Sequence, residues 1–317
     1  MSMKNLRIIF MGTPDFALET LKQLVENQYN VVGVVTIADK PAGRGQKLQA
    51  SPVKTYAESQ QIPVFQPTNL KDEDFVNALK ALAPDLQIVV AFRMLPKIVW
   101  QLPKYGTFNL HASLLPHYRG SAPINWAIIN GEQKTGVTTF FIDEKIDTGA
   151  MIMQTETPIS DRETAGSLHD KLMTQGADLV LKTVDAIENG MCKSVQQPMN
   201  EAFAEAPKIF KDTCKINWQM DGIVIERLIR GMSPYPTAWT LLHQNATELN
   251  IKIYDAIFKE EQHNLPFGKV KIVKKEIYVA VKQGFINILE LQIPGKKRMK
   301  TSDLLNGFSF TEDAIFS

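Results

Sequence analysis

The residues best suited to chemistry sit in one stretch, Asn109-Leu110-His111-Ala112-Ser113-Leu114-Leu115-Pro116, which runs on through Arg119-Gly120 to Asn125. An amide and an imidazole stand there at i and i+2. If Asn109 and His111 lie on a strand, that spacing puts both side chains on one face. A fixed amide can donate to an oxygen on which negative charge develops, and an imidazole titrating near neutral pH can carry a proton. Leu114-Leu115-Pro116 then forms an apolar wall ending in a residue that cannot pair in a central strand. Taken alone, an Asn and a His at a strand end serve equally well as internal hydrogen-bonding groups. The elements around them decide between the two.

Those elements alternate. Leu6–Met11 is apolar and β-prone, Gly12-Thr13-Pro14 breaks it, and Asp15 is placed to cap a helix carrying Phe16, Leu18, Leu21, Leu24 and Val25. Val31–Thr36 is a second strand, so the chain opens β-α-β. The first turn lacks Gly-x-Gly-x-x-Gly and a phosphate-loop lysine, so dinucleotide binding has no support. Helices are expected at Pro52–Gln60, Asp72–Leu82, Ala122–Asn130 and Thr164–Glu188. Strands are expected at Pro63–Gln66, Leu86–Phe92, Gly106–His111, Val137–Ile142 and Met151–Ile159. Such alternation predicts an α/β fold with a doubly wound, mostly parallel sheet over residues 1–195. Sheets of this kind bind ligands at the carboxyl ends of their strands, where Asn109 and His111 fall.

Residues 37–51 interrupt the alternation with Lys40, Arg44 and Lys47 among two glycines and a proline. A connection of this length is either a solvated loop or a basic one that grips a polyanion. From 196 to 207 the pattern dissolves into Gln, Pro, Ala and Glu, which reads as a linker. Residues 208–317 hold one helix, Gly222–Arg230, and five short period-2 segments, Trp239–Leu242, Leu249–Phe258, Val270–Val273, Ile277–Val281 and Ile286–Leu291. They predict a small OB-like β-barrel domain. Lys296, Lys297 and Arg298 cluster near its end, followed by Lys300.

Composition narrows the field. The chain has 317 residues, 44% apolar, with a formal net charge of +1. It is long enough for two domains and has no strong overall field. Residues 208–317 hold 16 Lys+Arg against 12 Asp+Glu, while the rest holds 19 against 22. A mildly basic barrel beside a mildly acidic domain suits either an auxiliary nucleic-acid surface or an ordinary solvated one. Two cysteines, Cys192 and Cys214, point to a reducing compartment. No 18-residue apolar run is present, so no membrane span is expected and a cytoplasmic protein is the default.

The run Asn109-x-His111-x-Ser113-Leu114-Leu115-Pro116-x-x-Arg119-Gly120 resembles the signature of the folate-dependent formyltransferases, and Asp147-Thr148-Gly149 matches the Asp-Thr-Gly that follows it there. The resemblance implies that Asn109, His111 and Asp147 carry formyl transfer from 10-formyltetrahydrofolate to an amine. Asn109 would stabilise the oxyanion, His111 would carry the proton from the attacking amine to the departing folate nitrogen, and Asp147 would orient the imidazole and favour its charged form. Ser113, Leu114, Leu115 and Pro116 would support the folate. No metal is implied. His111, His117 and Asp147 also lack the local spacing of a zinc site.

Further segments narrow the resemblance to the branch acting on methionyl-tRNA. These are Gly12-Thr13-Pro14-Asp15-Phe16, the Pro-Ala-Gly-Arg-Gly loop, Ala206-Pro207-Lys208-Ile209, and Arg230-Gly231-Met232-x-Pro234-x-Pro236-x-Ala238-Trp239. Relatives often carry Tyr-Gly-x-x-Leu-Pro where this chain has Phe92-Arg93-Met94-Leu95-Pro96 and is one residue shorter. The implied acceptor is the amino group of methionyl initiator tRNA, gripped by Lys40, Arg44 and Lys47 and by Lys296, Lys297 and Arg298, with the enzyme a monomer. The rivals are a formyltransferase acting on a small amine, such as glycinamide ribonucleotide or an amino-sugar nucleotide, and a non-catalytic RNA-binding protein. The basic loop and small β-rich domain weigh against the first, and the intact Asn109, His111 and Asp147 against the second.

Overall fold

Ile8-Ile9-Phe10-Met11 offers no polar position, which suits a strand covered on both faces. A computed structural model of the chain describes residues 5–42, 47–198 and 202–317, and in it this run is β1 (Ile8–Gly12), buried throughout. Then follow α1 (Asp15–Glu26), β2 (Val31–Val35), β3 (Lys40–Ala42), β4 (Lys47–Gln49), α2 (Pro52–Ser59), β5 (Val64–Phe65), α3 (Glu73–Ala81) and β6 (Leu86–Val90). Next come α4 (Lys97–Trp100), β7 (Thr107–His111), β8 (Arg119–Gly120), α5 (Pro123–Ile129), β9 (Lys134–Phe141), β10 (Met151–Pro158) and α6 (Ala165–Glu188). Seven of the strands form one sheet in the order β10-β9-β7-β6-β1-β2-β5. β1 pairs in parallel with β2 and β6, β2 with β5, and β6 with β7, while β9 joins β7 antiparallel. This is the doubly wound, mostly parallel sheet expected.

Two helices show why the segments hold. α3 is capped by Asp72, whose carboxylate accepts the Phe75 N–H at 3.0 Å, and it turns Phe75, Val76 and Leu79 onto Ile9, Met11 and Val89 of the sheet. α1 buries Phe16, Ala17, Leu21 and Leu24, but Asp15 does not cap it. Pro14 holds the N-cap position and Asp15 is the first helical residue, where a carboxylate still meets the positive end of the helix dipole. Within the stretch 37–51, Lys40–Ala42 and Lys47–Gln49 are strands, where the composition suggested loop. β3 and β4 pair antiparallel, Lys40 opposite Gln49 and Ala42 opposite Lys47.

The chain divides into two compact units. The first holds residues up to Gly120 with Thr135–Pro158 and His169–Glu205, and the second holds Ser121–Lys134, Ile159–Leu168 and Ala206–Ser317. The stretch 196–207 includes a buried residue, Gln197, and β11 (Glu205–Ala206).

In the second unit come α7 (Gly222–Met232), β12 (Ala238–Gln244), β13 (Thr247–Glu260), β14 (Val270–Val273), β15 (Glu276–Val281), β16 (Gly284–Gln292), β17 (Met299–Lys300), α8 (Thr301–Leu304) and β18 (Ile315–Phe316). The antiparallel path is β14-β15-β16-β13-β12-β18, with β17 on β16. Its ends meet: Lys269 bridges Ile315, and the Phe316 N–H donates to the Gly268 carbonyl at 2.8 Å. The sheet thus curls into the small barrel expected. Ile225, Ile229 and Met232 of α7 fill it together with Ile251, Ile253, Ile277, Val279, Ile286 and Ile288. β17 and β18, two residues each, carry too little periodicity to be read from sequence.

Candidate active site

β7 ends in Asn109-Leu110-His111. Its register sets Asn109 between Val89 of β6 and Phe140 of β9, and His111 opposite Thr138. Asn109 and His111 share a face as expected, at the carboxyl end of a strand in the parallel sheet. The two side chains are held differently. His111 is 6% exposed, and its Nε2 lies 2.8 Å from the Tyr118 carbonyl oxygen. A carbonyl can only accept, so Nε2 carries the hydrogen, and Nδ1 holds the lone pair of the neutral ring. Asn109 is half-buried, and its amide has no hydrogen-bond partner among the described residues. That leaves its donors free for a bound group.

Nδ1 of His111 faces Asp147 Oδ2 at 3.8 Å, beyond hydrogen-bond length but within the range of a charge on the ring. Asp147 has a left-handed backbone, φ 55°, unusual for a residue with a side chain. Its surroundings hold it there. The Gly120 N–H donates to Asp147 Oδ2 at 2.9 Å. Asp143 Oδ1 accepts from the Lys145 N–H at 2.9 Å and from the Thr148 hydroxyl at 2.8 Å, which ties the turn to itself. At Gly149 an added Cβ would stand 1.7 Å from the Phe141 carbonyl oxygen, so only glycine lets the turn lie against β9. An ion pair between Lys97 and Glu144, 2.6 Å, joins α4 to the turn, and the ammonium holds the Glu144 carboxyl below the usual range.

Ser113–Pro116 is fixed from beneath. The Thr138 hydroxyl donates to the Ser113 carbonyl at 2.6 Å and accepts from the Leu115 N–H at 3.2 Å, and Gln154 Nε2 reaches the Leu115 carbonyl at 2.8 Å. The Ser113 hydroxyl is spent on the His117 carbonyl at 2.7 Å. Ser113 and Leu115 are buried, whereas Leu114 and Pro116 are half-buried. The wall therefore has two anchoring and two accessible residues. Gly136 permits this, since a Cβ there would meet Leu114 Cδ2 at 2.6 Å. Beyond the strand ends the same unit leaves Met94, Ile98 and Ile146 exposed, apolar surface of the kind that lines a site for a flat ligand. Arg93 turns back to the Thr68 carbonyl at 3.0 Å and also reaches that of Pro67.

Of the basic residues singled out, Lys40 is exposed on β3 and Lys47 lies on β4, while Arg44 falls outside the described residues. In the second unit Lys296 and Lys297 are exposed. Arg298 is engaged: its Nε donates to Glu290 Oε2 at 2.8 Å and its guanidinium lies 4.6 Å from the centre of the Tyr254 ring. A second basic cluster escaped the sequence reading. Lys211 and Lys215 stand over the Trp239 ring at 5.5 and 5.7 Å, beside Lys208 over the exposed Phe210. Cations interleaved with accessible rings suit a nucleic-acid surface. The signal in sequence was three lysines within eight residues, split by a break between elements. His117 packs edge-on to Phe203 at 5.2 Å. Among the described residues no group of three or more His, Cys, Asp or Glu is placed to hold a metal, and no helix is long and apolar enough to cross a membrane.

Residues 5–184 match the model of the formyl transferase family, and residues 208–309 that of the formyl transferase C-terminal domain. The chain is similar to a methionyl-tRNA formyltransferase of Flavobacterium johnsoniae, 58% identical over 98% of this chain and 99% of that one. It is similar also to one of Bacteroides thetaiotaomicron, 54% identical over 98% of each. Among solved structures it resembles an N-formyltransferase of Helicobacter canadensis in complex with folinic acid and dTDP-3-aminofucose, with TM-score 0.64, 22% identity, and coverage of 89% of this chain and 98% of that one. With the Asn-His strand end, the Asp-Thr-Gly turn and both matched segments in hand, the chain belongs to the formyl transferase family.

Proposed function

We propose that this chain transfers the formyl group of 10-formyltetrahydrofolate to the amino group of methionyl initiator tRNA, as a cytoplasmic monomer without a metal. The observation that carries this reading is the high identity to methionyl-tRNA formyltransferases along nearly the whole chain, second unit included. In the proposed reaction the amine attacks the formyl carbon, and the Asn109 amide donates to the oxygen that becomes negative. Loss of one such donor costs about 10²–10³ in rate. Nε2 of His111 is committed to Tyr118, so Nδ1 is the nitrogen that takes the amine proton and returns it to the leaving folate nitrogen. A proton on Nδ1 then faces the Asp147 carboxylate.

The residues present fit a folate. The Asn109 amide, without a partner among the described residues, lies at the strand end, and Leu114, Pro116, Met94 and Ile146 offer apolar surface in the same unit, with Ser113 and Leu115 holding the wall's backbone. For the RNA we propose a two-point grip. Lys40, Arg44 and Lys47 guide the acceptor end, and Lys296, Lys297 and Arg298 hold the body, together with Lys208, Lys211 and Lys215. The test is formyl transfer to charged initiator tRNA against glycinamide ribonucleotide and an amino-sugar nucleotide, with the same donor. Turnover confined to the tRNA supports the proposal. Equal or better turnover of a small amine defeats it.

A further inference from the structure

Gln197 lies between the two segments that the family models match, in a stretch whose composition reads as a linker. It is 3% exposed, and every hydrogen-bonding position of its amide is used. Nε2 donates to the Asp147 carbonyl at 2.9 Å and to the Gly149 carbonyl at 2.8 Å. Oε1 accepts from Arg119 Nε at 3.1 Å and Nη2 at 2.6 Å. Arg119 precedes Gly120, whose N–H holds the Asp147 carboxylate. The bonds close a ring: Gly120 grips the Asp147 side chain, Gln197 grips the backbone on both sides of Thr148, and Arg119 ties Gln197 back to Gly120. The Arg119 guanidinium is further seated 5.6 Å from the Phe203 ring centre.

We propose that Gln197 is a positioning residue for the transfer reaction, which fixes the left-handed Asp147 so that its carboxylate faces His111 Nδ1. This rests on the reading of His111 and Asp147 as partners in formyl transfer. Only an amide satisfies the geometry. A carboxylate would keep the Arg119 contact but set acceptors against two carbonyls, and an apolar side chain would orphan both carbonyls and the guanidinium. An uncoupled turn would let the carboxylate drift. Displacement by about 1 Å in such a constellation can cost about 100-fold in rate.

The test compares the full chain with Gln197→Glu and Gln197→Ala. The expected result is a fall in kcat for methionyl-tRNA of about 10- to 100-fold, with KM for tRNA and folate changed by less than about twofold. In an Asp147→Asn background the same replacement should change kcat by less than about threefold, because both act through one group. A strut that merely stiffens the fold would cost the same factor in both backgrounds, and that outcome overturns the proposal. A readout free of turnover is the His111 imidazole signal in NMR spectra, assigned by its loss in His111→Asn. Gln197→Glu should move that signal in the direction that Asp147→Asn does, and an unmoved signal also overturns the proposal. If Gln197→Ala does not fold, Gln197→Glu, of equal volume, carries the test. Should the wild type fail to formylate tRNA, the functional reading falls, while the imidazole signal still decides the role of Gln197.

Discussion

The turn that carries Asp147 and the turn that carries Lys296, Lys297 and Arg298 are both short, polar and built on a glycine, yet they hold their side chains in opposite ways. At Gly149 a Cβ would meet a carbonyl oxygen at 1.7 Å, whereas at Gly295 it would meet nothing within 4 Å. Around Asp147 the backbone and the carboxylate are gripped by Gln197, Gly120 and Asp143. On the barrel turn Arg298 is held by Glu290, and the two lysines reach into solvent. The first turn is made for a single geometry, where effects are short-range and coupled. The second presents charge, whose effects are long-range, graded and weakened by salt.

Four experiments bear on that contrast, the largest effect first. His111→Ala should lower kcat by about 10²–10⁴ while the chain still folds, at a lower thermal midpoint because a buried, hydrogen-bonded ring is lost. Adding Asn109→Ala should then cost far less than Asn109→Ala does alone, since the two serve one transition state. Steady-state kinetics that show independent, multiplying losses would dissolve the coupled picture. Arg44→Ala, in the stretch 37–51 rather than the barrel, should lower kcat/KM for charged tRNA by about tenfold or more, through poorer placement of the reacting end. Folate binding should be spared. Normal formylation at low tRNA concentration would remove this stretch from the proposed grip.

Replacing Lys296 and Lys297 together by Ala should weaken tRNA binding several-fold and flatten the plot of log affinity against log salt by about one to two units of slope. Arg298→Ala should change that slope less, because Glu290 already neutralises it. An equal change would show that the Glu290 pair opens on binding. The smallest effect concerns Asp39, just before β3. Lys54 Nζ at 2.7 Å, with Gln66 Nε2 at 2.7 Å, holds its carboxyl below the usual range. A lowered folded-state value means that the stabilisation is present above the unfolded carboxylate range and lost as pH falls through the folded one. The gap in thermal midpoint between wild type and Asp39→Asn should therefore be small at neutral pH and close on acidification. A gap that persists in acid would mean that the carboxylate charge is not its source.

Much of the sheet was legible because burial on both faces favours apolar runs. Ile8–Gly12 and Leu86–Val90 are wholly apolar but for Gln87 and Gly12, and both are buried throughout. α3 was equally clear, with a capping Asp72 before the Phe75, Val76 and Leu79 face. Legibility failed where a residue's partner is distant in sequence. Gln197 bonds Asp147 across 50 residues, and nothing local separates it from its neighbour Gln196. Thr138 and Gln154 hold the Ser113–Pro116 wall from other strands, and no spacing within Ser113–Pro116 announces them. The β3–β4 pair was read as loop because three-residue strands containing Lys and Pro show no period. The family signature pointed to the residues proposed to meet the reactants but not to those that hold them in place.

The unpaired amide of Asn109 has a consequence for heat resistance. A half-buried polar group set between Val89 and Phe140, with no hydrogen-bond partner among the described residues, is a soft spot in the sheet. A β-branched hydrocarbon would pack there more favourably than the amide does. Asn109→Val should therefore unfold at a higher temperature than the wild type, a gain of about 0.5–2 kcal/mol, while formyl transfer is lost. A calorimetric scan that finds the variant less stable would mean that the amide has an internal role after all. Otherwise the difference in melting temperature measures how much robustness the resting chain forgoes to hold an amide in the position proposed for the oxyanion donor.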